Sequence, residues 1–180
     1  WLTVPVSFEF GDTIRQVRIA GDPRWRRKMG LTLEHAYGKT PHFGRFAPEF
    51  AQILDRPWDN LADLNQATVE WLMRCLDIRT RVLVCSTLQE FSADPTGRLI
   101  DICRHVGADT YLSGAGGRDY LDAGAFEKAG LRLEFQNYLH PEYPQCYPAS
   151  DRGCLSHLSA IDALFNGGGG IMLTLRYGNE

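Results

Sequence analysis

The sequence lacks any long hydrophobic run and any strong excess of charge. No apolar stretch approaches the roughly 20 residues that a membrane-spanning helix needs, and no signal-peptide pattern is present. The 19 basic and 22 acidic residues give a formal net charge of -3, whereas a general nucleic-acid-binding protein needs a positive surface. We therefore expect a cytoplasmic protein that has no membrane span and does not bind nucleic acid.

Cysteine is scarce, and the five cysteines are an odd number that does not fit a disulfide framework. Three of them lie in apolar helix or strand patterns, where a free thiol acts as a small hydrophobe: Cys75, Cys85 and Cys103. A catalytic Cys85, beside Ser86 at a strand end, is the alternative to a buried core thiol. No G-x-S-x-G motif supports a hydrolase triad.

Metal ligands with the usual zinc spacing are also lacking. Cys146, Cys154 and His157 form a C-x7-C-x2-H pattern. A zinc site needs a fourth ligand and usually a closer pair of cysteines. We therefore expect no metal site, and no motif in the sequence indicates which cofactor, if any, is bound.

The first 20 residues predict a β-hairpin. Apolar residues alternate from Val4 to Phe10 before the turn Gly11-Asp12-Thr13, and they alternate again from Ile14 to Ile19 after it. The chain opens on Trp1, inside this strand pattern, rather than on methionine. We therefore expect further residues upstream of Trp1 in the natural protein.

Caps and apolar residues at three- and four-residue steps predict four main helices. They are expected at about 24–37, 60–76, 94–107 and 158–167, with shorter helical pieces such as 48–54 among the prolines of residues 39–57. Asn60 and Asp63 have the spacing of a capping pair. Asp94 is a cap with Pro95 in the first turn, and Gly107 follows the end of that helix.

Three short apolar runs predict strands at 82–86, 110–113 and 131–135. The first run is continuous, as in a strand buried on both faces. Helices at 94–107 and 119–129 between these strands are typical of βαβ units and a parallel sheet. We therefore predict one α/β domain over residues 1–180. It is three-layer-like, with a central, mostly parallel sheet, flanking helices and an N-terminal β-hairpin.

A glycine-rich loop follows the predicted strand 110–113. It lacks the third glycine of G-x-G-x-x-G, and no Gly-Lys-Ser or Gly-Lys-Thr follows it. Its position still favours binding, because ligands bind beyond the carboxyl ends of parallel strands and helix N-termini attract anions. The predicted ligand contacts are Ser113, Gly114, Gly116, Gly117, Arg118 and Tyr120, with Asp119 or Asp122 orienting a hydroxyl or amine. The alternative is a tight turn in which Asp119 caps the helix and Arg118 is solvated.

The second unusual stretch is His140-Pro141-Glu142-Tyr143-Pro144-Gln145. Its two prolines exclude a regular helix and disfavour a central strand, which predicts a stiff loop. His140 beside Glu142 is a candidate acid/base pair because histidine titrates near neutral pH. Tyr143 and Gln145 are candidate ligand contacts. The alternative is that Tyr143 packs and His140 only hydrogen-bonds to a nearby backbone carbonyl.

Four motifs occur in order along nearly the whole chain. They are Trp1-Leu2-Thr3-Val4-Pro5-Val6, then Tyr111-Leu112-Ser113-Gly114 with Asp119-Tyr120-Leu121-Asp122, then Pro141-Glu142-Tyr143-Pro144-Gln145, and finally Leu158-Ser159-Ala160-Ile161-Asp162-Ala163-Leu164-Phe165-Asn166-Gly167. Together they resemble the WbqC-like protein family of bacteria. Members of that family usually begin with a His-Gln-Pro segment upstream of the first motif, and this sequence does not contain it.

The resemblance implies a cytoplasmic protein encoded among genes for O-antigen and other surface polysaccharides. It also implies modification of an activated amino sugar, with transfer of an acyl or aminoacyl group to the sugar amine. The partners would be an anionic or nucleotide-linked sugar and an acyl donor or carrier. In this hypothesis the catalytic residues are His140, Glu142, Asp119 and Asp122. The alternative is a non-catalytic module that binds a small molecule or a partner within a polysaccharide-assembly system.

Overall fold

The structure is a computed structural model of the chain, and it describes residues 2–146 and 153–171. The chain forms two compact units. Unit 1 comprises residues 1–80 and 140–180, and unit 2 comprises residues 81–139. Trp1, where the predicted hairpin begins, lies outside the described residues. The prediction of a single domain over the whole chain stays a prediction.

The described elements form a mixed α/β fold. In chain order they are β1 (Val6–Ser7), β2 (Arg18–Ile19), α1 (Arg24–Tyr37), α2 (Phe43–Asp55), α3 (Leu61–Cys75), α4 (Pro95–Val106), β3 (Thr110–Ser113), α5 (Ala123–Lys128), β4 (Arg132–Phe135) and α6 (Ala160–Gly167). Unit 1 contains β1, β2, α1, α2, α3 and α6, and unit 2 contains the others. None of the described helices is long and apolar enough to cross a membrane.

Side-chain caps determine where the helices begin. The Asn60 side chain accepts a hydrogen bond from the Asp63 amide at 2.9 Å, and Asp94 accepts one from the Gly97 amide at 2.6 Å. Both predicted caps are therefore confirmed. After α4, Gly107 has a φ of 70°, in the left-handed region that glycine adopts readily.

Helix α2 is longer than the predicted piece 48–54 and contains Pro48 in its interior. A proline at this point removes one backbone hydrogen bond. The buried side chains of Phe46 before the proline, and of Phe50 after it, lie on the core face of the helix. Burial of these aromatic rings offsets the lost bond.

Aromatic packing builds the core of unit 1. Trp71, Leu164 and Phe165 are completely buried. The Phe165 ring meets the Tyr37 and Phe43 rings edge to face, with centroid distances of 5.4 Å and 5.2 Å. Because Tyr37 ends α1 and Phe43 begins α2, these contacts hold α6 against the junction between the two helices.

A single βαβ arrangement organises unit 2. Strands β3 and β4 are parallel, with Thr110 opposite Arg132 and Ser113 opposite Phe135. The strand predicted at 110–113 is confirmed, and the one predicted at 131–135 begins one residue later. Four buried side chains form the core of the unit: Ile100, Cys103, Phe126 and Leu131. Burial raises the pKa of the Cys103 thiol, in agreement with a thiol that acts as a small hydrophobe.

The prediction of a central, mostly parallel sheet is wrong. Each sheet in the described residues has two strands, β1–β2 and β3–β4, and residues 82–86 form no strand. Cys85–Thr87 is a turn of 3-10 helix, Val82 is 50% exposed and Leu83 is 38% exposed. The apolar run is therefore not buried on both faces, and an apolar run of this length does not by itself specify a strand. The expectation that Cys85 is buried is also wrong, since its side chain is exposed.

Two other elements differ from their predicted bounds. The N-terminal hairpin is confirmed as an antiparallel pair, but each strand has only two residues, and Phe8 and Phe10 beyond the first strand are exposed. The helix predicted at 119–129 is replaced by a 3-10 turn, Ala115–Asp119, followed by α5. The break occurs because the Asp122 carboxylate accepts the Ala125 amide and starts a new helix.

Candidate functional site

A buried polar cluster in unit 1 is centred on Asp162. This residue lies in the first turn of α6 and is only 5% exposed. Its Oδ1 atom accepts a hydrogen bond from the Tyr143 hydroxyl at 2.7 Å and another from Gln145 Nε2 at 3.0 Å. A buried carboxylate is unfavourable without such donors. The two bonds therefore stabilise Asp162 and attach the proline-rich segment to α6.

Amide side chains attach the rest of this segment. Gln145 Oε1 accepts the Leu155 amide at 2.8 Å, and Gln145 Nε2 also donates to the Leu155 carbonyl at 3.0 Å. Asn166 Oδ1 accepts the Cys146 amide at 2.8 Å, while Asn166 Nδ2 donates to the Asp162 carbonyl at 2.9 Å. Each amide side chain uses both its donor and its acceptor, which fixes its orientation.

Tyr37, at the end of α1, is the third residue of this cluster, because the negative charge of Asp162 acts on its hydroxyl. Burial is the main cause that raises the pKa of Tyr37 to about 12, and the negative charge of Asp162 adds to it. Burial and the hydrogen bond to Asp162 also raise the pKa of Tyr143. Both hydroxyls are therefore protonated donors at neutral pH. We call Tyr37, Tyr143, Gln145 and Asp162 the Asp162 cluster.

Two cavities in unit 1 border the Asp162 cluster. The larger has a volume of about 670 Å³ and is lined by Leu2, Met29, Thr32, Leu33, Ala36, Tyr37, Phe50, His157, Leu158, Ser159 and Ile161. The smaller has a volume of about 180 Å³, and its polar lining residues are Tyr37, Thr40, Gln145, Cys146, Asp162 and Asn166. Tyr37 borders both cavities. The larger one falls in the size range of small-molecule sites, which are mostly apolar with a few polar groups.

Two imidazoles lie close together beside the larger cavity. The ring centroids of His140 and His157 are 5.0 Å apart, and the His140 ring is 5.8 Å from the Tyr143 ring. His157 has a φ of 58°, which is uncommon for a residue other than glycine. Such backbone conformations occur where the surroundings hold a side chain in place, often at a site. Glu142, between His140 and Tyr143 in the sequence, is exposed.

The glycine-rich loop of unit 2 is a closely packed turn. Ser113 is 4% exposed, and its carbonyl accepts the Gln136 amide at 2.8 Å. The Ser113 hydroxyl donates to the Gly114 carbonyl at 3.1 Å. A Cβ atom at Gly117 would overlap the Ser113 hydroxyl, whereas one at Gly116 would meet nothing within 4 Å. Glycine is therefore required by packing at position 117 and is not required by packing at position 116.

Exposed side chains surround this turn. The Arg118 guanidinium carbon lies 4.6 Å from the centre of the Phe135 ring, a cation–π contact that orients the cation. Asp119 is exposed and Tyr120 is 67% exposed. Asp122, rather than Asp119, caps the following helix. The loop therefore presents a cation and an aromatic ring to solvent.

The predicted site residues belong to different units. His140, Glu142, Tyr143 and Gln145 are in unit 1, and the structure brings three of them, His140, Tyr143 and Gln145, into the surroundings of Asp162. The others are in unit 2: Ser113, Gly114, Gly116, Gly117, Arg118, Asp119, Tyr120 and Asp122. Their roles in catalysis or ligand binding stay predictions. In residues 2–146 and 153–171, no group of three or more His, Cys, Asp or Glu side chains is arranged to hold a metal ion.

Sequence reasoning missed the contributions of Tyr37, His157 and Asp162. A signal for Asp162 exists, because it is the one charged residue in the stretch 158–167, and a buried carboxylate needs donors. In the sequence, Asp162 also has the three-residue spacing from Ser159 that is typical of a capping pair. Ser159 is indeed the cap of α6, but the Asp162 carboxylate binds Tyr143 and Gln145. Tyr37 carries no local signal because its partner is distant in the sequence.

Comparison with known proteins shows the family of this chain. No solved structure matches it. It is 31% identical to the uncharacterized protein Rv1507c of Mycobacterium tuberculosis over 181 residues, which cover 98% of this chain and 76% of that protein. The family model described as the WbqC-like protein family matches residues 1–171. The chain therefore belongs to the WbqC-like protein family.

Proposed function

We propose that this protein is an acyl- or aminoacyl-type transferase that modifies an activated amino sugar in O-antigen or surface-polysaccharide biosynthesis. The observation that carries the proposal is the position of His140, whose ring centroid is 5.0 Å from that of His157, a residue that lines a cavity of about 670 Å³. This arrangement combines an acid/base group with space for a small molecule.

The chemistry of transfer explains why an imidazole is needed. The sugar nitrogen attacks the carbonyl carbon of the donor, a C–N bond forms, and the bond to the donor's leaving group breaks. The nitrogen must lose a proton as it attacks, and the leaving group gains one. Histidine can accept and return a proton near neutral pH. In the proposal His140 accepts the proton, with His157 and Glu142 as its neighbours.

The lining of the larger cavity supports this function. Its apolar side chains include Met29, Leu33 and Phe50, and its hydroxyl groups include those of Tyr37 and Ser159. An apolar wall can cover the faces of a sugar ring or an acyl chain, while hydroxyls fix the orientation of a bound ligand. Tyr37 stays a hydrogen-bond donor because its pKa is raised to about 12.

The loop of unit 2 is proposed as a separate anion contact. Arg118, oriented over the Phe135 ring, offers a planar group that matches a carboxylate or phosphate. The backbone from Ser113 to Gly117 would lie beside the same anion, and Tyr120 offers an exposed ring. Asp119 and Asp122 remain the proposed residues for orienting a hydroxyl or amine. The role of His140 does not depend on this contact.

The test is an assay with defined probes. The protein is mixed with a nucleotide-linked glucosamine and with acetyl or alanyl thioester donors, and mass spectrometry follows the gain of the acyl group. His140→Gln and His157→Gln are expected to lower turnover by about 10²- to 10⁴-fold, as loss of an acid/base group does. His35→Gln is the matched control, since His35 is exposed near the end of α1.

Turnover that is unchanged in His140→Gln would show that this histidine is not the base. Binding of the nucleotide-linked sugar with no transfer by the unmodified chain would favour the alternative function, a non-catalytic binding module of a polysaccharide-assembly system. That module should retain its affinity when His140 and Glu142 are neutralised together.

A further inference from the structure

The smaller cavity of unit 1 has an acidic group that the proposed transfer step does not use. Asp162 borders this cavity of about 180 Å³ and is 5% exposed. Within the described parts of the chain, no lysine or arginine forms an ion pair with it. Its hydrogen-bond donors, Tyr143 and Gln145, are neutral. Neutral donors offset only part of the desolvation of a buried carboxylate, and a cation would offset more.

Residues around the cavity carry oxygen atoms that can accept hydrogen bonds from a primary ammonium group, which has three donors. The bonds from Tyr143 and Gln145 both go to Oδ1 of Asp162, so Oδ2 takes part in neither. The Thr40 hydroxyl donates to the Tyr37 carbonyl at 2.7 Å, and its oxygen keeps lone pairs to accept another bond. Tyr37 borders the same cavity, and its hydroxyl oxygen can also accept a hydrogen bond. Asp162 Oδ2, Thr40 and Tyr37 therefore supply three acceptors.

We propose that the smaller cavity binds a primary ammonium group of the ligand, with Asp162 as its counter-ion. This inference rests on the proposed function for the identity of the ligand, because an aminoacyl donor and an amino-sugar acceptor both carry a primary amine. The two sources differ in chemistry. The acceptor amine must lose a proton to react, whereas the ammonium of an aminoacyl donor stays protonated throughout the transfer.

The experiment measures binding by calorimetry with the full chain. Alaninamide represents an aminoacyl group, and glucosamine represents the acceptor. Their neutral counterparts are N-acetylalaninamide and N-acetylglucosamine. At least one amine should bind more tightly than its acetylated form by about 10- to 100-fold, the effect expected of a hydrogen-bonded charge pair. The amine that binds identifies the source.

Substitution of Asp162 makes the test specific. Asp162→Asn keeps the shape of the side chain and should remove most of the preference for the amine. Asp55→Asn is the matched control because Asp55 is an exposed carboxylate at the end of α2, and it should bind as the unmodified chain does. Thr40→Val removes one acceptor with little change in size and should weaken amine binding about 3- to 10-fold. If circular dichroism shows that Asp162→Asn does not fold, Thr40→Val provides the test of the ammonium site in its place.

Equal binding of amines and acetylated forms would overturn the proposal. Amine binding that persists unchanged in Asp162→Asn and Thr40→Val would also overturn it. These outcomes are separate from those of the transferase assay. Selective amine binding without transfer would contradict the proposed function alone, and transfer without selective amine binding would contradict the ammonium site alone.

Discussion

The two units hold their predicted ligand residues in different ways. In unit 1, Tyr143 and Gln145 from the proline-rich segment hydrogen-bond to one buried carboxylate on α6. In unit 2, the glycine-rich loop is held by local backbone bonds and by the contact between Ser113 and Gly117. The first arrangement depends on contacts between distant parts of the chain. The second depends mainly on residues that are close in the sequence, and Phe135 and Gln136 of the neighbouring strand add to them.

The cores of the units differ as well. Among the described residues, fifteen buried side chains form the core cluster of unit 1, whereas four form that of unit 2. Each side chain in the smaller core therefore contributes a larger fraction of the apolar surface that its unit buries. Because burial of apolar surface is the main favourable contribution to folding, one core substitution should affect unit 2 more severely than unit 1.

The largest expected effect is that of Phe126→Ala in the core of unit 2. The Phe126 ring is completely buried and stacks on Tyr111 with 5.5 Å between centroids. Its loss should lower the free energy of unfolding of unit 2 by about 3–5 kcal/mol. Hydrogen exchange of the β3 and β4 amides measures this. All four tryptophans lie within residues 1–80, so tryptophan fluorescence should follow unit 1 and change little.

If Phe126→Ala lowered the free energy of unfolding measured by tryptophan fluorescence as much as that measured by hydrogen exchange, the expected difference between the units would be wrong. Val106→Ala is a control within unit 2, because Val106 is 47% exposed at the end of α4. It should change the free energy of unfolding by no more than about 0.5 kcal/mol.

A smaller effect is expected in the loop itself. In Gly117→Ala the new methyl group would overlap the Ser113 hydroxyl and lie 3.1 Å from the Leu121 side chain. Overpacking of this kind costs about 1–3 kcal/mol. Gly116→Ala, which meets nothing within 4 Å, should be within about 0.5 kcal/mol of the unmodified protein. Urea denaturation followed by circular dichroism compares the two. Equal destabilisation would mean that close packing does not hold the loop.

The smallest effect concerns the polar cluster of unit 1 at alkaline pH. The pKa of Tyr37 rises from 10.0 to about 12 in the folded chain, so folding favours the protonated hydroxyl. The resulting stabilisation is fully present below pH 10 and is lost as the pH rises toward about 12. In Tyr37→Phe, the urea midpoint should fall less steeply with rising pH over this range than it does in the unmodified protein. An unchanged slope would show that folding does not raise the pKa of Tyr37.

Much of the local structure could be predicted because its causes are local. Asn60 and Asp94 cap helices through amides three residues away, and such spacing is visible in the sequence. Helix α1 has the predicted bounds of 24–37. Strand β3 also has its predicted bounds, since a short apolar run within a βαβ pattern was interpreted correctly there.

The central sheet and the centre of the site could not be predicted in the same way. Residues 82–86 have the composition of a buried strand, but burial requires neighbours on both faces, and Val82 is half exposed. Asp162 has the spacing of a capping residue, but its carboxylate binds Tyr143. Both errors arise because a local pattern does not specify which distant residues will cover it.

By itself, the sequence determined the helix caps, most helices, the parallel pair β3–β4 and a segment from His140 to Gln145 that is neither helix nor strand. Each of these follows from backbone preferences and hydrogen bonds within a few residues. Only the tertiary structure decided that Tyr143 and Gln145 share one buried carboxylate, and that His157 lies beside His140. These contacts depend on the packing of the whole unit. Any hydrogen-bond donor that the fold brings close to a buried charge can stabilise it, so the sequence alone does not specify which donor does so.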